Sequence, residues 1–92
     1  MTALSAHEID TRLKNLSGWQ REAGELVRTF QFPDFRASLR FVNAVGELAE
    51  KAGHHPDIDV RYNKVRLALV THDAGGITAK DFDLAEAISR QA

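Results

Sequence analysis

The sequence predicts an α+β domain in which a four-stranded antiparallel sheet carries three helices on one face, in the order α-β-β-α-β-β-α. Two stretches alternate apolar and polar residues on either side of a short polar turn, which is typical of antiparallel hairpins. Three other stretches repeat apolar residues at helical spacing behind Ser, Asp or Thr capping residues. Because amphipathic helices need an apolar surface to cover, we expect all three to pack against the sheet formed by the two hairpins.

The bulk composition limits the classes of protein to which the chain can belong. Its 92 residues suit one domain, which we assign to residues 1–92, and its net charge of -1 gives no basic excess for binding nucleic acid. The absence of cysteine excludes disulfides, thiol nucleophiles and cysteine-bound zinc. No run approaches the roughly 20 apolar residues of a membrane span, and no apolar signal core is present. We therefore expect a cytoplasmic protein that binds neither membranes nor nucleic acid directly.

The first helix and the first hairpin have recognisable boundaries. Ser5 and Glu8 have the spacing of a capping box, in which each side chain accepts a hydrogen bond from the backbone of the other residue. Residues 19–32 then predict a hairpin, whose turn contains Gly24. Trp19 is expected in the core, and a place in the wall of a pocket for a flat ligand is the alternative.

The longest predicted helix has more apolar surface than one small sheet can cover. Asp34 caps it, it runs to Ala52, and Gly53 ends it. Its apolar residues form two adjoining stripes: Phe35, Leu39, Val42, Gly46 and Ala49, and then Phe41, Val45, Leu48 and Ala52. Such a helix lies deep in its own core or is shared with another subunit. We favour the second interpretation, because exposed edge strands also favour pairing between subunits.

The second hairpin and the last helix follow the same logic. Residues 58–62 alternate apolar and polar side chains, which predicts a half-buried strand, and residues 63–64 are the predicted turn. Residues 65–71 return as the second strand. Thr78 and Asp81 then repeat the capping-box spacing at the start of the last helix.

Histidines are concentrated near the end of the long helix. His54 and His55 follow it directly, and His72 stands at the end of the second hairpin. Imidazole, with an ordinary pKa of about 6.5, exchanges protons near neutral pH. Pro56 keeps His55 extended, so the two adjacent rings can approach one ligand from two sides. We expect Glu50, one helical turn earlier, to hydrogen-bond the His54 ring.

Four interpretations of the histidines compete. They could make only local hydrogen bonds, ligate zinc or iron together with a carboxylate, assist a nucleophile, or act as metal-free general acids and bases. Adjacent histidines are poorly spaced for one metal ion, and no histidine pair has the i, i+4 helical spacing. The chain also lacks cysteine and a recognisable serine or threonine nucleophile turn. We therefore favour metal-free acid–base catalysis, which contributes about 10²- to 10⁴-fold per positioned group.

The histidines belong to a longer pattern with fixed gaps. An acidic residue is followed after three residues by His-His-Pro, after five more by an aromatic residue and after nine more by a histidine, and an aspartate comes later. The residues of this pattern are Glu50, His54, His55, Pro56, Tyr62, His72 and Asp81. This pattern resembles that of the pterin-4a-carbinolamine dehydratases. Similar flanking segments extend the resemblance over nearly the whole chain, and we find no departure from it.

The resemblance implies a dehydration. The substrate would be a 4a-hydroxy-tetrahydropterin, left when an aromatic amino acid hydroxylase uses its pterin, and loss of water would give quinonoid dihydropterin. His54, His55 and His72 would share the acid and base roles, in an order that the sequence leaves open, without metal or cofactor. Asp81 could instead be only a helix cap, and Tyr62 is expected in the core or in a pocket wall. The implied substrate-binding or orienting residues are Glu50, Pro56, Thr71, Asp73, Ala74 and Asp81.

The resemblance also implies self-association. A homodimer or homotetramer would form through the long helix and a sheet edge. Some relatives act instead as interaction modules on the same scaffold: a dimerisation cofactor for a homeodomain transcription factor in animals, or an assembly factor for a carboxylating enzyme in bacteria. A non-enzymatic interaction module is therefore the alternative function.

Overall fold

The predicted α+β architecture is confirmed. A computed structural model of the chain describes residues 2–92. None of its described helices is both long and apolar enough to cross a membrane. The elements are α1 Ala6–Leu13, β1 Gln20–Glu22, β2 Glu25–Gln31, α2 Phe35–Ala52, β3 Asp57–Arg61, β4 Lys64–Leu69, a 3₁₀ turn His72–Ala74 and α3 Ala79–Ser89.

The four strands form one antiparallel sheet in the order β1-β2-β4-β3, so the two hairpins lie side by side. Glu22 pairs with Glu25, so the first hairpin turns at Ala23 and Gly24, and the predicted turn at Gly24 is confirmed. In the central pair of strands, Leu26 lies opposite Leu69 and Phe30 lies opposite Val65. All four side chains are buried. Because side chains alternate along a strand, this register directs the apolar residues of both central strands to the same face.

The hydrophobic core lies between this face of the sheet and the helices. Ile9 of α1, Val45 of α2 and Ile88 of α3 are buried against the sheet residues. Trp19 is also buried in the core, and its Nε1 donates a hydrogen bond to Oγ of Ser89 at 2.9 Å. The expectation of a core role for Trp19 is thus confirmed, and its indole ties the first hairpin to the last helix.

All three predicted helix caps form. At α1, Oγ of Ser5 accepts from the Glu8 N–H at 3.1 Å, and Oε1 of Glu8 accepts from the Ser5 N–H at 2.9 Å. At α2, Oδ1 of Asp34 accepts a backbone hydrogen bond in the first turn. At α3, Thr78 and Asp81 complete the second capping box. Local side-chain chemistry therefore sets where each helix begins.

The second hairpin turns one residue earlier than predicted. Arg61 pairs with Lys64, so the turn consists of Tyr62 and Asn63. The backbone carbonyl of Asn63 accepts from the Phe32 N–H at 2.8 Å, and its Nδ2 donates to the Phe32 carbonyl at 3.1 Å. These contacts join the turn to the end of β2, across 31 residues of sequence. These contacts fix Asn63 in the turn, and local turn preferences could not predict them because Phe32 is distant in sequence.

Tyr62 does not lie in the core, and the cavity that it lines with Phe35 and Leu39 is not the one lined by the histidines. Its side chain is 64% exposed and its φ is 51°, which belongs to the left-handed region of a tight turn. The ring stacks on that of Phe35, with centroids 6.5 Å apart and planes 5° apart. Tyr62 therefore lies outside both the core and the cavity formed by the histidines.

The strand β3 is less buried than predicted. It is an edge strand, Ile58 is exposed and only Val60 is half-buried. The helix α2 packs against α3 and over the central strands β2 and β4, and it leaves its own Phe35 and Leu39 45% and 42% exposed. Phe41 and Val45 of one apolar stripe of α2 are thus buried, whereas Phe35 and Leu39, at the start of the other stripe, form an uncovered apolar patch with Tyr62.

Candidate active site

The chain leaves α2 through a left-handed turn. Gly53 has φ 62°, and the N–H of His54 donates back to the carbonyl of Ala49 at 3.2 Å. The next two side chains then diverge, as predicted for extended residues before proline. The His54 side chain is 12% exposed and the His55 side chain is 61% exposed. Two adjacent imidazoles therefore occupy different environments.

The buried ring contacts a carboxylate from another helix. Nε2 of His54 lies 2.5 Å from Oδ1 of Asp81, in the first turn of α3. We expected Glu50 to be the partner of His54, and this prediction is wrong. It assumed that the chain continues along the helix axis, whereas the left-handed residue Gly53 redirects it.

Asp81 is fully buried, and its hydrogen bonds explain how a carboxylate is accommodated there. Its Oδ2 accepts from the Thr78 N–H at 2.8 Å and from the Thr71 hydroxyl at 2.9 Å. The two threonine hydroxyls are themselves 2.7 Å apart. Asp81 is therefore a helix cap and the partner of a histidine at the same time, so the two roles weighed from the sequence do not exclude each other.

The exposed ring contacts the other carboxylate. Nε2 of His55 lies 2.6 Å from Oε2 of Glu50 in the last turn of α2. The turn at Gly53 brings His55, rather than His54, back over this face of the helix. The Glu50 side chain is itself exposed, so water competes for both partners.

Both contacts leave one ring nitrogen free. A carboxylate only accepts hydrogen bonds, so the network assigns the proton to Nε2 of His54 and of His55. No hydrogen bond within residues 2–92 engages Nδ1 of either ring. The same part of the chain contains no group of three His, Cys, Asp or Glu side chains that could hold a metal ion. The arrangement therefore offers two oriented imidazoles with nitrogens available for proton transfer.

One cavity of about 280 Å³ is lined by His54, His55 and His72. His72 reaches it from the 3₁₀ turn after β4, where Thr71 pairs with Gly76 and the N–H of Gly75 donates to the His72 carbonyl at 3.0 Å. Thr71 and Asp73 line the cavity as well. The hairpin thus brings His72 to the same cavity as His54 and His55.

The other predicted residues do not line the cavity. Asp81 and Glu50 each hold one ring, Pro56 follows His55 into β3, and Ala74 is half-buried in the 3₁₀ turn. Sequence reasoning missed Lys80, which also lines the cavity. Its signal was present, because a lysine in the first turn of a helix is unfavourable for the helix dipole and therefore unusual.

The fold and the cavity together define a class of protein. Its members are small α+β proteins in which imidazoles from a helix exit and a hairpin end line one cavity, and carboxylates orient the two imidazoles at the helix exit. The family model described as pterin 4 alpha carbinolamine dehydratase matches residues 2–91. The chain belongs to this family, and the resemblance inferred from its motifs is confirmed.

Relatives of similar length agree with this assignment. A protein of Acidobacterium capsulatum is 58% identical over 88 residues, which are 96% of each chain. A protein of Roseiflexus sp. is 58% identical over 87 residues, which are 95% of this chain and 94% of the relative. Both are provisionally named pterin-4-alpha-carbinolamine dehydratase.

Two solved structures share the fold. A transcriptional coactivator/pterin dehydratase from Brucella melitensis has a TM-score of 0.93 and 32% identity over 97% of both chains. A pterin dehydratase-like protein identified as a RuBisCO assembly factor in the alpha-carboxysome has a TM-score of 0.64 and 22% identity. That match covers 78% of this chain and 83% of the other, and it indicates the fold alone.

Proposed function

We propose that the protein removes water from a 4a-hydroxy-tetrahydropterin to give quinonoid dihydropterin, by general acid–base catalysis. One observation carries the proposal: three imidazoles line one cavity, and a carboxylate orients two of them. Membership of the dehydratase family supports the same reaction class.

The reaction needs one proton donor and one proton acceptor. The C4a–O bond breaks, and its electron pair leaves on the oxygen, which takes a proton from an imidazolium and departs as water. The proton on the adjacent ring nitrogen passes to a neutral imidazole, and the electron pair that it leaves forms the new C=N bond. Both forms of imidazole are populated near neutral pH, so histidines can supply both functions.

His54 and His55 contact carboxylates in different environments, and this difference would affect their roles in proton transfer. The buried Asp81 holds His54 in one tautomer and stabilises positive charge on it, as a carboxylate does behind a catalytic histidine. The exposed pair of Glu50 and His55 can adjust to the substrate. Asp81 and Glu50 are therefore proposed as positioning residues, and the backbone from Thr71 to Ala74, with Asp73, as the site that binds the amide edge of the pterin.

We further propose that the cytoplasmic protein is a homodimer or homotetramer, assembled through the long helix and a sheet edge. The uncovered apolar patch of Phe35, Leu39 and Tyr62 supports this proposal, as does the exposed Ile58 on the edge strand β3, because association would bury these large apolar side chains. The same patch supports the alternative function, a non-enzymatic module that binds a different protein. The Brucella relative carries a coactivator description beside its dehydratase description.

A kinetic assay tests the proposed reaction. Purified protein is given chemically prepared 4a-hydroxy-tetrahydropterin, and the loss of substrate absorbance is followed against the uncatalysed rate. We expect His54→Ala and His72→Ala each to lower kcat by about 10²-fold or more. His7→Ala is the matched control, because His7 lies exposed in α1 outside the cavity. A wild-type rate no faster than that of the His54 and His72 variants would reject the dehydratase.

A measurement of the molar mass in solution distinguishes self-association through the apolar patch from binding of a different protein. Multi-angle light scattering of wild type and Leu39→Glu measures whether the patch joins copies of this chain. We expect a wild-type dimer or tetramer and a smaller species for the variant. A wild-type monomer with full activity would reject self-association and leave the patch to a heteropartner.

A further inference from the structure

A second cavity adjoins the histidine cavity, and the proposed reaction does not use it. It has a volume of about 350 Å³ and lies between the second half of α2 and α3. We call it the lysine groove: Leu48, Ala52, Leu84 and Ala87 form its apolar walls, and Lys51 and Lys80 border it. His54 and Lys80 line both cavities, so the groove begins where the histidine cavity ends.

Because the two cavities share His54 and Lys80, one ligand can occupy both spaces. Small-molecule sites usually have roughly 300–1,000 Å³. The histidine cavity, at about 280 Å³, is at the small end of this range, and the groove adds a further 350 Å³ or so beside it. A ligand with a flat ring beside the histidines and a substituent in the groove would fill the combined space.

The charges of the groove favour an anion at the end of that substituent. Neither Lys51 nor Lys80 forms an ion pair within residues 2–92, and the one carboxylate that borders the groove is Asp83. Lys51 lies in the last turn of α2, where a cation stabilises the helix, so its position has a structural explanation. Lys80 lies in the first turn of α3, where a cation is unfavourable, and a bound anion would compensate it.

We propose that the lysine groove binds the substituent at C6 of the pterin, and that it selects an apolar linker ending in a carboxylate or a phosphate. This inference rests on the proposed dehydratase function. The apolar walls exclude water from the linker, and the two lysines meet the terminal anion. The groove would thus determine which tetrahydropterin is the preferred substrate.

Competing substrates test the preference directly. We would measure kcat/KM for three 4a-hydroxy-tetrahydropterins: one with a 6-methyl group, one with a carboxylate-terminated apolar substituent, and one with the neutral amide of that substituent. We expect the carboxylate to exceed its amide by about tenfold, mainly through KM, and the advantage to shrink at high salt. A phosphate-terminated analogue identifies which anion is preferred.

Matched variants assign the preference to the groove. In Lys51→Met, we expect the ratio of kcat/KM for carboxylate over amide to fall to about threefold or less, since one of two cations is lost. Lys64→Met removes an equally exposed lysine at the start of β4 and should leave the ratio unchanged. Equal use of carboxylate and amide by the wild type would overturn the inference, as would an unchanged ratio in Lys51→Met.

A binding measurement keeps this inference separate from the proposed reaction. Fluorescence titration with non-reactive oxidised pterins, carrying the same carboxylate and amide substituents, reports on the groove without turnover. Tighter binding of the carboxylate that is lost in Lys51→Met supports the groove. If the wild type turns over the 6-methyl substrate but shows no anion preference in either assay, the groove inference is rejected and the proposed dehydratase function stands. If the wild type turns over none of the substrates, the proposed dehydratase function is rejected.

Discussion

Two helices of this protein begin with the same motif in different surroundings. Ser5 and Glu8 at α1 and Thr78 and Asp81 at α3 both close a reciprocal capping box. The first box is exposed, and it does no more than start a helix. In the second box, the carboxylate is fully buried and also contacts His54. The comparison teaches that burial, rather than the motif, turns a helix cap into part of a candidate active site.

Loss of the buried carboxylate should give the largest effect on stability. In Asp81→Ala, the buried donors of Thr78 and Thr71 and the part-buried Nε2–H of His54 lose their acceptor. Each unsatisfied donor costs about 1–3 kcal/mol, so we expect the free energy of unfolding to fall by about 3–5 kcal/mol. Urea unfolding followed by circular dichroism measures it. Glu8→Ala removes the equivalent exposed carboxylate and should cost much less; equal losses would refute the comparison.

A milder change at the same position should separate activity from folding. Asp81→Asn keeps the volume and one acceptor oxygen but no longer fixes the tautomer of His54. We expect kcat to fall by about 10²-fold with little change in KM, because Asp81 does not line the cavity. For Glu50→Gln we expect a loss of about fivefold or less, since exposed pairs contribute about 0–1 kcal/mol. Steady-state kinetics measures both, and similar losses in kcat would contradict the distinction between the two carboxylates.

The hydroxyls of the two N-cap residues, Thr78 and Ser5, should differ less in their contribution to stability than the two carboxylates do. Thr78→Ala removes a buried hydroxyl that contacts the hydroxyl of Thr71 and accepts from the Lys80 N–H, and we expect a loss of about 2 kcal/mol. Ser5→Ala should cost about 1 kcal/mol or less, because water replaces the exposed cap. Thermal and urea unfolding measure both variants. A larger loss in Ser5→Ala would reverse the order that burial predicts.

The charge of Glu8 in the exposed box should contribute the smallest effect on stability, and only at a pH where the carboxylate is ionised. The backbone N–H of Ser5, and then its hydroxyl, lower the pKa of Glu8 below its ordinary value of 4.5. A lowered folded-state pKa stabilises the protein above the unfolded value and is lost as pH falls through the folded value. We expect Glu8→Gln to be less stable than wild type at pH 7 and equal to it at acid pH. A difference that persists in acid would show that the charge is not responsible.

Much of the fold was predictable because its signals are local. Each helix start depends on side chains within three residues of one another, as at Ser5 and Glu8. The end of α2 depends on Gly53 alone, which adopts the left-handed conformation that closes a helix. The four antiparallel strands followed from the two hairpins, and the concentration of histidines was visible directly in the sequence.

The errors came from contacts that join distant parts of the chain. The second turn is held by Phe32, across 31 residues, and so it formed one residue earlier than local turn preferences indicate. The partner of His54 was misassigned to Glu50 because a helical turn was extrapolated past Gly53. The burial of β3 was overestimated because nothing local reveals that it is an edge strand or that α2 packs over its neighbour.

The sequence by itself determined the helix caps, the first turn and the presence of three histidines near the end of α2. Each of these depends on a few consecutive residues and on side-chain chemistry alone. Only the tertiary structure decided which carboxylate meets which imidazole, because Asp81 lies 27 residues from His54 and reaches it through the packing of α3 against the end of α2. It also decided the burial of Asp81, which depends on how whole elements cover one another.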